Sequence, residues 1–322
     1  MTLDVGAPVT GAVPFGDGVA AGCGDGTVRF FRLDGDPLVV CAHDGAVLCL
    51  ASDGRSVLSG GDDGRFLRIT PGGCVEEIAS FGTRWVDCVA AGQGVYACSS
   101  RRVAYVWRDG ETAPAQLEHP STVGGLAFDS KSRRLAATHH RGATLWEPGA
   151  ETWMPTEMMW KGLHGTVAFS PDDAYLVATT EDRMLNGWRL HDKKDFQLYG
   201  YVNKVKSFAW VGDVPHLATA GAFDAICWPF DNAQGPAGRD PLRIPGSGEA
   251  ITVVAPVPGR AAVLIGSRQG EVMLSEVDGS KPPVMLRGAS GAEITALAVN
   301  TSRSHVFIGD AGGSVMWRPL QV

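Results

Sequence analysis

Apolar and polar positions alternate in short runs along the whole chain, and glycine or aspartate separates one run from the next. The clearest stretch is Gly24-Asp25-Gly26-Thr27-Val28-Arg29-Phe30-Phe31-Arg32-Leu33. Its Asp-Gly turn precedes an alternating run of β-branched and aromatic residues. That is a strong hairpin signal, because glycine accepts positive φ at no steric cost. The pattern recurs with a period of about 40 residues, the signature of a repeat architecture. Each unit predicts three strands, a, b and c, and a less regular outer strand d after a polar turn. The b strands are expected at 19–22, 57–60, 95–98, 135–138, 176–179, 217–220, 263–266 and 306–309. The a strands are expected at 9–15, 47–51, 85–90, 123–128, 165–169, 205–210, 251–255 and 294–299. One such sheet has two apolar faces and cannot bury both alone, so the units must stack and close a ring.

Three features give this periodicity a family likeness. They are the Gly24–Phe31 stretch, the run Ala168-Phe169-Ser170-Pro171-Asp172, and the tryptophan that ends five c strands (Trp107, Trp146, Trp188, Trp228 and Trp317). On these residues the chain resembles a WD-repeat β-propeller over essentially its full length. It departs from that pattern in having no Trp-Asp pair: Arg108, Glu147, Arg189, Pro229 and Arg318 follow the five tryptophans. The resemblance implies an all-β fold, a single propeller domain over 1–322, with eight blades. Seven blades is the alternative, with the seventh unit as an insertion. After Trp317 too little chain is left for another strand, so Leu3-Asp4-Val5 is expected to supply the outer strand of the last blade and cover its edge.

Composition narrows the function classes. The formal net charge is −7 and the sequence pI about 5.6, which argues against a nucleic-acid groove. No apolar run is long enough to cross a bilayer, and the N-terminus lacks the basic and apolar regions of a secretion signal. Seven cysteines without a C-x-x-C pair fit reduced thiols in the cytoplasm. No P-loop, G-x-S-x-G elbow or zinc-protease helix motif occurs. The chain is therefore expected not to be an enzyme and to need no cofactor. A propeller enzyme with a central pocket stays open as an alternative, since residues from separate blades converge there without a linear motif.

Two groups of residues remain as candidates. Trp153-Met154-Pro155-Thr156-Glu157-Met158-Met159-Trp160 falls where the outer strand of the fourth unit is expected. Met158 and Trp160 are read as packing on the next blade. Trp153, Met154 and Met159 are candidate contacts for a protein partner. The second group is histidine. In the resembled family a His before strand a pairs with an Asp in the b–c turn and links to a Ser or Thr and the Trp. His43 and Asp63 fit that pattern in the second unit, with Ile69 in place of the Trp. In the fourth unit His119 takes the His position and His140 replaces the Asp, with His139 beside it and His164 starting the next a strand. The resemblance therefore puts His119, His139, His140 and His164 in one sector of one face. Three of them could hold Zn²⁺, as imidazole is a good ligand for it. His191, His216 and His305 are expected on the opposite face. The leading function is a non-catalytic protein-interaction scaffold, monomeric by itself, with a zinc-binding propeller as the alternative.

Overall fold

The alternation in the sequence becomes eight four-stranded antiparallel sheets, the blades of an all-β, eight-bladed propeller. The computed structural model describes residues 1–150 and 152–320. Among these residues there is no helix, and so none long and apolar enough to cross a membrane. The sheets run a-b-c-d in chain order in blades 1 to 7, as in blade 2 (Val47–Ser52, Val57–Gly61, Arg65–Ile69, Val75–Ser80). Such a meander needs tight b–c turns, and the sequence supplies them with glycine. Gly64 sits at φ +79°, and a Cβ there would collide with the Gly82 carbonyl.

The sequence predicts one domain over 1–322. By internal contacts the chain groups into two compact units, Met1–Cys23 with Arg29–Leu38 and Tyr199–Val322, and Gly24–Val28 with Val39–Leu198. The first contains blades 6, 7 and 8 and most of blade 1. The second contains blades 2 to 5.

In the first unit, blade 8 is made from both ends of the chain. Its a, b and c strands are Ile294–Val299, His305–Asp310 and Ser314–Pro319, and its outer strand is Thr2–Asp4. Thr2, Leu3 and Asp4 pair with Met316, Val315 and Ser314. The Met1 amino group donates to the Trp317 carbonyl at 2.7 Å, and Trp317 N–H donates back to the Met1 carbonyl at 2.9 Å. The expected closure by the N-terminal strand is therefore present, one residue earlier than Leu3-Asp4-Val5. The seventh repeat is a full blade (Ile251–Pro256, Ala262–Ser267, Val272–Glu276, Val284–Arg287) rather than an insertion. Blades 8 and 1 share a core in which the Phe31 and Phe307 rings lie 4.9 Å apart.

In the second unit each pair of neighbouring sheets buries its own cluster. Leu58, Phe66, Cys98 and Trp107 fill the space between blades 2 and 3. Leu117, Val123, Leu135 and Trp146 fill that between blades 3 and 4. Leu145, Met158, Phe169 and Trp188 fill that between blades 4 and 5. The a–b turns clasp one another: Ser130 donates its backbone N–H and its hydroxyl to the Asp173 carboxylate at 2.9 and 2.6 Å.

Two inner strands differ from expectation. In blade 3 strand a is Cys88–Gly92 rather than 85–90, and Trp85 is 60 % exposed in the preceding loop. The tight turn that pairs Gly92 with Val95, where Gly94 has φ +69°, sets the register from the other end. In blade 6 strand a is Phe208–Val211 rather than 205–210; Val205 is fully buried but precedes the ladder. In both places a buried valine precedes the ladder, Val86 in blade 3 and Val205 in blade 6, so apolar burial extends beyond strand pairing, and a hydrophobicity pattern reads burial.

Candidate functional site

In an antiparallel meander the start of a, the b–c turn and the end of d lie at one end of the sheet. The histidine sector occupies that end in blades 4 and 5, and a related arrangement recurs in blades 2 and 6. In blade 2 the buried His43 donates from Nδ1 to Asp63 Oδ1 at 2.9 Å, and its Nε2 lies 2.9 Å from Ser59 Oγ. Burial alone would push the Asp63 carboxyl up. The Arg65 backbone N–H and guanidinium, His43 and the Asp44 N–H outweigh it and hold Asp63 at about 2.

In blade 4 the Trp146 indole N–H donates to His119 Nε2 at 2.9 Å, and His119 Nδ1 donates to the Arg102 carbonyl at 3.2 Å. The carbonyl takes over the orienting role that a carboxylate has in blade 2. His140, at the position equivalent to Asp63, turns outward and is exposed, and its backbone N–H donates to Ser121 Oγ at 2.9 Å. His139 is buried and accepts the Arg141 N–H at Nδ1, 3.2 Å, so its Nε2–H donates to Thr144 Oγ1 at 3.0 Å. The His119 and His139 ring centres are 5.9 Å apart.

In blade 6 tyrosine does the work of histidine. The Trp228 indole N–H donates to Tyr201 Oη at 2.8 Å. Tyr201 Oη lies 2.9 Å from Thr219 Oγ1, which donates to the Ile226 carbonyl at 2.8 Å. Burial pushes the Tyr201 hydroxyl up, so it stays protonated. Sequence reading missed Tyr201. The available signal was spacing: Tyr201 precedes Trp228 by the 27 residues that separate His119 from Trp146.

Three of the four expected histidines come together in blades 4 and 5, and all three are held neutral. Burial pushes His139 down to about 4; the Arg141 guanidinium lowers it further, as would protonation of the neighbouring His119 or His164. Burial also lowers His119 and His164, against hydrogen bonds to the Arg102 and Gly162 carbonyls respectively. Both ring nitrogens of His119 and of His139 are taken by hydrogen bonds, and His140 faces solvent. Among the described residues no group of three or more His, Cys, Asp or Glu is placed to hold a metal ion. The expected zinc set of His119, His140 and either His139 or His164 is thus not assembled among the described residues: His119 is held between Trp146 and the Arg102 carbonyl, His139 between Thr144 and the Arg141 N–H, and His140 turns away. His191 lies in a c–d turn and His216 and His305 begin b strands, at the opposite end.

The outer strand of blade 4 is Trp153–Met159. Met158 is 2 % exposed and packs toward blade 5 with Trp160, as expected. Met154 and Met159 are 57 % and 46 % exposed. Trp153 is half-buried against the blade 3–blade 4 core, with the Arg108 guanidinium 5.4 Å from its ring centre. It forms one wall of a groove of about 480 Å³, opposite the outer strand of blade 3 (Ala115–Glu118), with Arg108, Glu111, Gln116 and Trp146 also lining it.

Comparison with known proteins agrees with this geometry. The sequence model of the family described as "WD domain, G-beta repeat" matches residues 35–66, the stretch that contains His43 and Asp63. No curated protein sequence matches the chain. Among solved structures, the computationally designed Ika8 protein superimposes with a TM-score of 0.77 at 19 % identity, over 98 % of each chain. At that identity the likeness shows the fold.

Proposed function

The chain belongs to the WD-repeat β-propellers, and from that premise we propose that it is a non-catalytic, cytoplasmic scaffold for protein–protein interaction, monomeric by itself. WD-repeat propellers are typically interaction scaffolds. The observation that carries the reading to particular residues is the outer strand of blade 4. There Met154 and Met159 are exposed while Met158, in the same strand, is buried. The strand needs only its inner residues for folding, so the exposed methionines and the half-buried Trp153 are available to a partner. Methionine suits such a surface because its flexible thioether adapts to varied shapes, and tryptophan is a frequent interface anchor.

The test is affinity capture from extracts of the source organism with wild type and with the double variant Met154→Glu, Met159→Glu. The double variant unfolds at the wild-type temperature and loses the captured protein. Equal capture by the two proteins, or unfolding of the variant, contradicts the assignment of this strand.

A further inference from the structure

Blades 2, 4 and 6 each complete a buried polar relay at the same end of the sheet. Blade 5 (His164–Phe169, Tyr175–Thr180, Leu185–Arg189, Lys194–Leu198) has the same ingredients but does not complete one within the protein. His164 and Asn186 are 0 % exposed and Trp188 is 1 % exposed. His164 Nε2, Asn186 Oδ1 and Nδ2, and Trp188 Nε1 make no hydrogen bond to another protein group. Asn186 and Trp188 are two residues apart on strand c and so share a face. Trp188 on that face packs toward blade 4, and the His164 ring centre is 5.7 Å from that of Trp188.

Blade 4 shows what a completed version looks like. His119 and Trp146 are also 5.7 Å apart, but their rings stand at 82°, which brings the indole N–H onto the imidazole nitrogen. In blade 5 the angle is 40°, and the indole N–H misses the ring. Asn186 occupies the position two residues before the Trp where blade 4 has Thr144, which is bonded to His139. A buried donor or acceptor left unpaired costs about as much as a lost hydrogen bond. Four such atoms in one interface are too many to leave uncompensated.

We infer that the interface of blades 4 and 5 holds one or two ordered water molecules, bound by His164, Asn186 and Trp188. The mixture of groups selects the ligand. His164 donates its Nδ1–H to the Gly162 carbonyl at 3.0 Å, so its Nε2 offers a lone pair. Asn186 Oδ1 is a second acceptor; the Asn186 amide and the Trp188 indole supply donors. A cation would need acceptors alone and an anion donors alone. Water gives two hydrogens and takes two, and so bridges this set. Solvent thus does in blade 5 what Ser59, Thr144 and Thr219 do in blades 2, 4 and 6.

The experiment is nuclear magnetic resonance of the full chain labelled with ¹⁵N, with Trp188→Phe used to assign the indole signal. The Trp188 indole N–H shows a cross-peak to water of the sign that marks a long-lived bound molecule. The Trp146 indole N–H, which donates to His119, shows none. Asn186→Leu removes the Trp188 cross-peak and lowers the unfolding temperature. Should that variant not fold, Asn186→Thr keeps a bridging hydroxyl and retains the cross-peak. A wild-type Trp188 signal without a water cross-peak overturns the inference. So does Asn186→Leu raising the unfolding temperature, the result expected if these atoms are unpaired in the native protein.

Discussion

Replacing Tyr201 with Phe removes one oxygen atom from the centre of the blade 6 relay and leaves the ring in place. Tyr201 Oη accepts the Trp228 indole N–H at 2.8 Å and lies 2.9 Å from Thr219 Oγ1. Since Thr219 donates its own hydrogen to the Ile226 carbonyl, the tyrosine O–H is the donor toward Thr219. Without the oxygen, Thr219 still makes its bond to Ile226. The Trp228 indole N–H, on a residue 7 % exposed, has nothing left to bond. Stranding one buried donor costs roughly 1–3 kcal/mol, and we take about 2 kcal/mol. The entropy of unfolding, about 2.1 cal/mol/K per residue, gives about 0.7 kcal/mol/K for a chain of this length. The expected drop in unfolding temperature is therefore about 3 °C. Calorimetry of wild type, Tyr201→Phe, Trp228→Phe and the double variant measures both the loss and the coupling. The second substitution adds little once the first is made, because both remove the same bond. An unchanged midpoint in Tyr201→Phe, or fully additive losses in the double variant, refutes the relay.

Deleting residues 1–6 removes the outer strand of blade 8, its bonds to Trp317 and Gly313, and the buried Val5; the loss is roughly 4–6 kcal/mol with an exposed strand edge, read as a lower unfolding temperature and as aggregation by light scattering. His119, His139 and His164 are all held below the ordinary histidine value, so the folded state favours their neutral form. The stability they contribute is complete above pH 6.5 and is lost as pH falls toward the folded values, about 4 for His139. Urea unfolding at pH 7 and pH 5 shows a loss of about 1–2 kcal/mol from His139 at the lower pH, and His139→Asn flattens that dependence. Burial pushes Cys88 and Cys227 up to about 12 and Cys98 well up, so iodoacetamide on the native protein labels the exposed Cys41 and Cys74 and spares these three, as peptide mass analysis will show.

Much of this architecture was legible in the sequence because a short strand between tight turns leaves a local mark. The Gly24–Phe31 turn and strand, the eight b strands with their small terminal residues, and the N-terminal strand of blade 8 all follow from alternation and chain length. The strand starts at Trp85 and Val205 were misread because apolar character reports burial, as at Val86 and Val205, as readily as strand pairing, and does not by itself distinguish an exposed loop residue such as Trp85. The histidine sector was legible as a place and not as a chemistry. The family resemblance put His119, His139 and His164 in one sector, and the structure has them at one end of blades 4 and 5, but nothing in that resemblance shows that the Arg102 carbonyl accepts a hydrogen bond from His119 Nδ1 or that His140 turns outward. Those outcomes depend on rotamers and on neighbouring loops. Tyr201 was invisible to a search for histidine because a phenol can stand in for an imidazole wherever one donor and one acceptor suffice.

The claim that the outer strand of blade 4 receives a protein partner is tested most directly by light-activated cross-linking in the source organism. A benzophenone amino acid is placed at Met154, and for comparison at Val214, which is also 57 % exposed but lies in an a–b turn of blade 6. Both proteins should fold and accumulate equally. The account predicts a discrete cross-linked species from position 154 that is absent from position 214 and contains one other protein by mass analysis. Position 154 yielding no cross-link, or the same products as position 214, would contradict it.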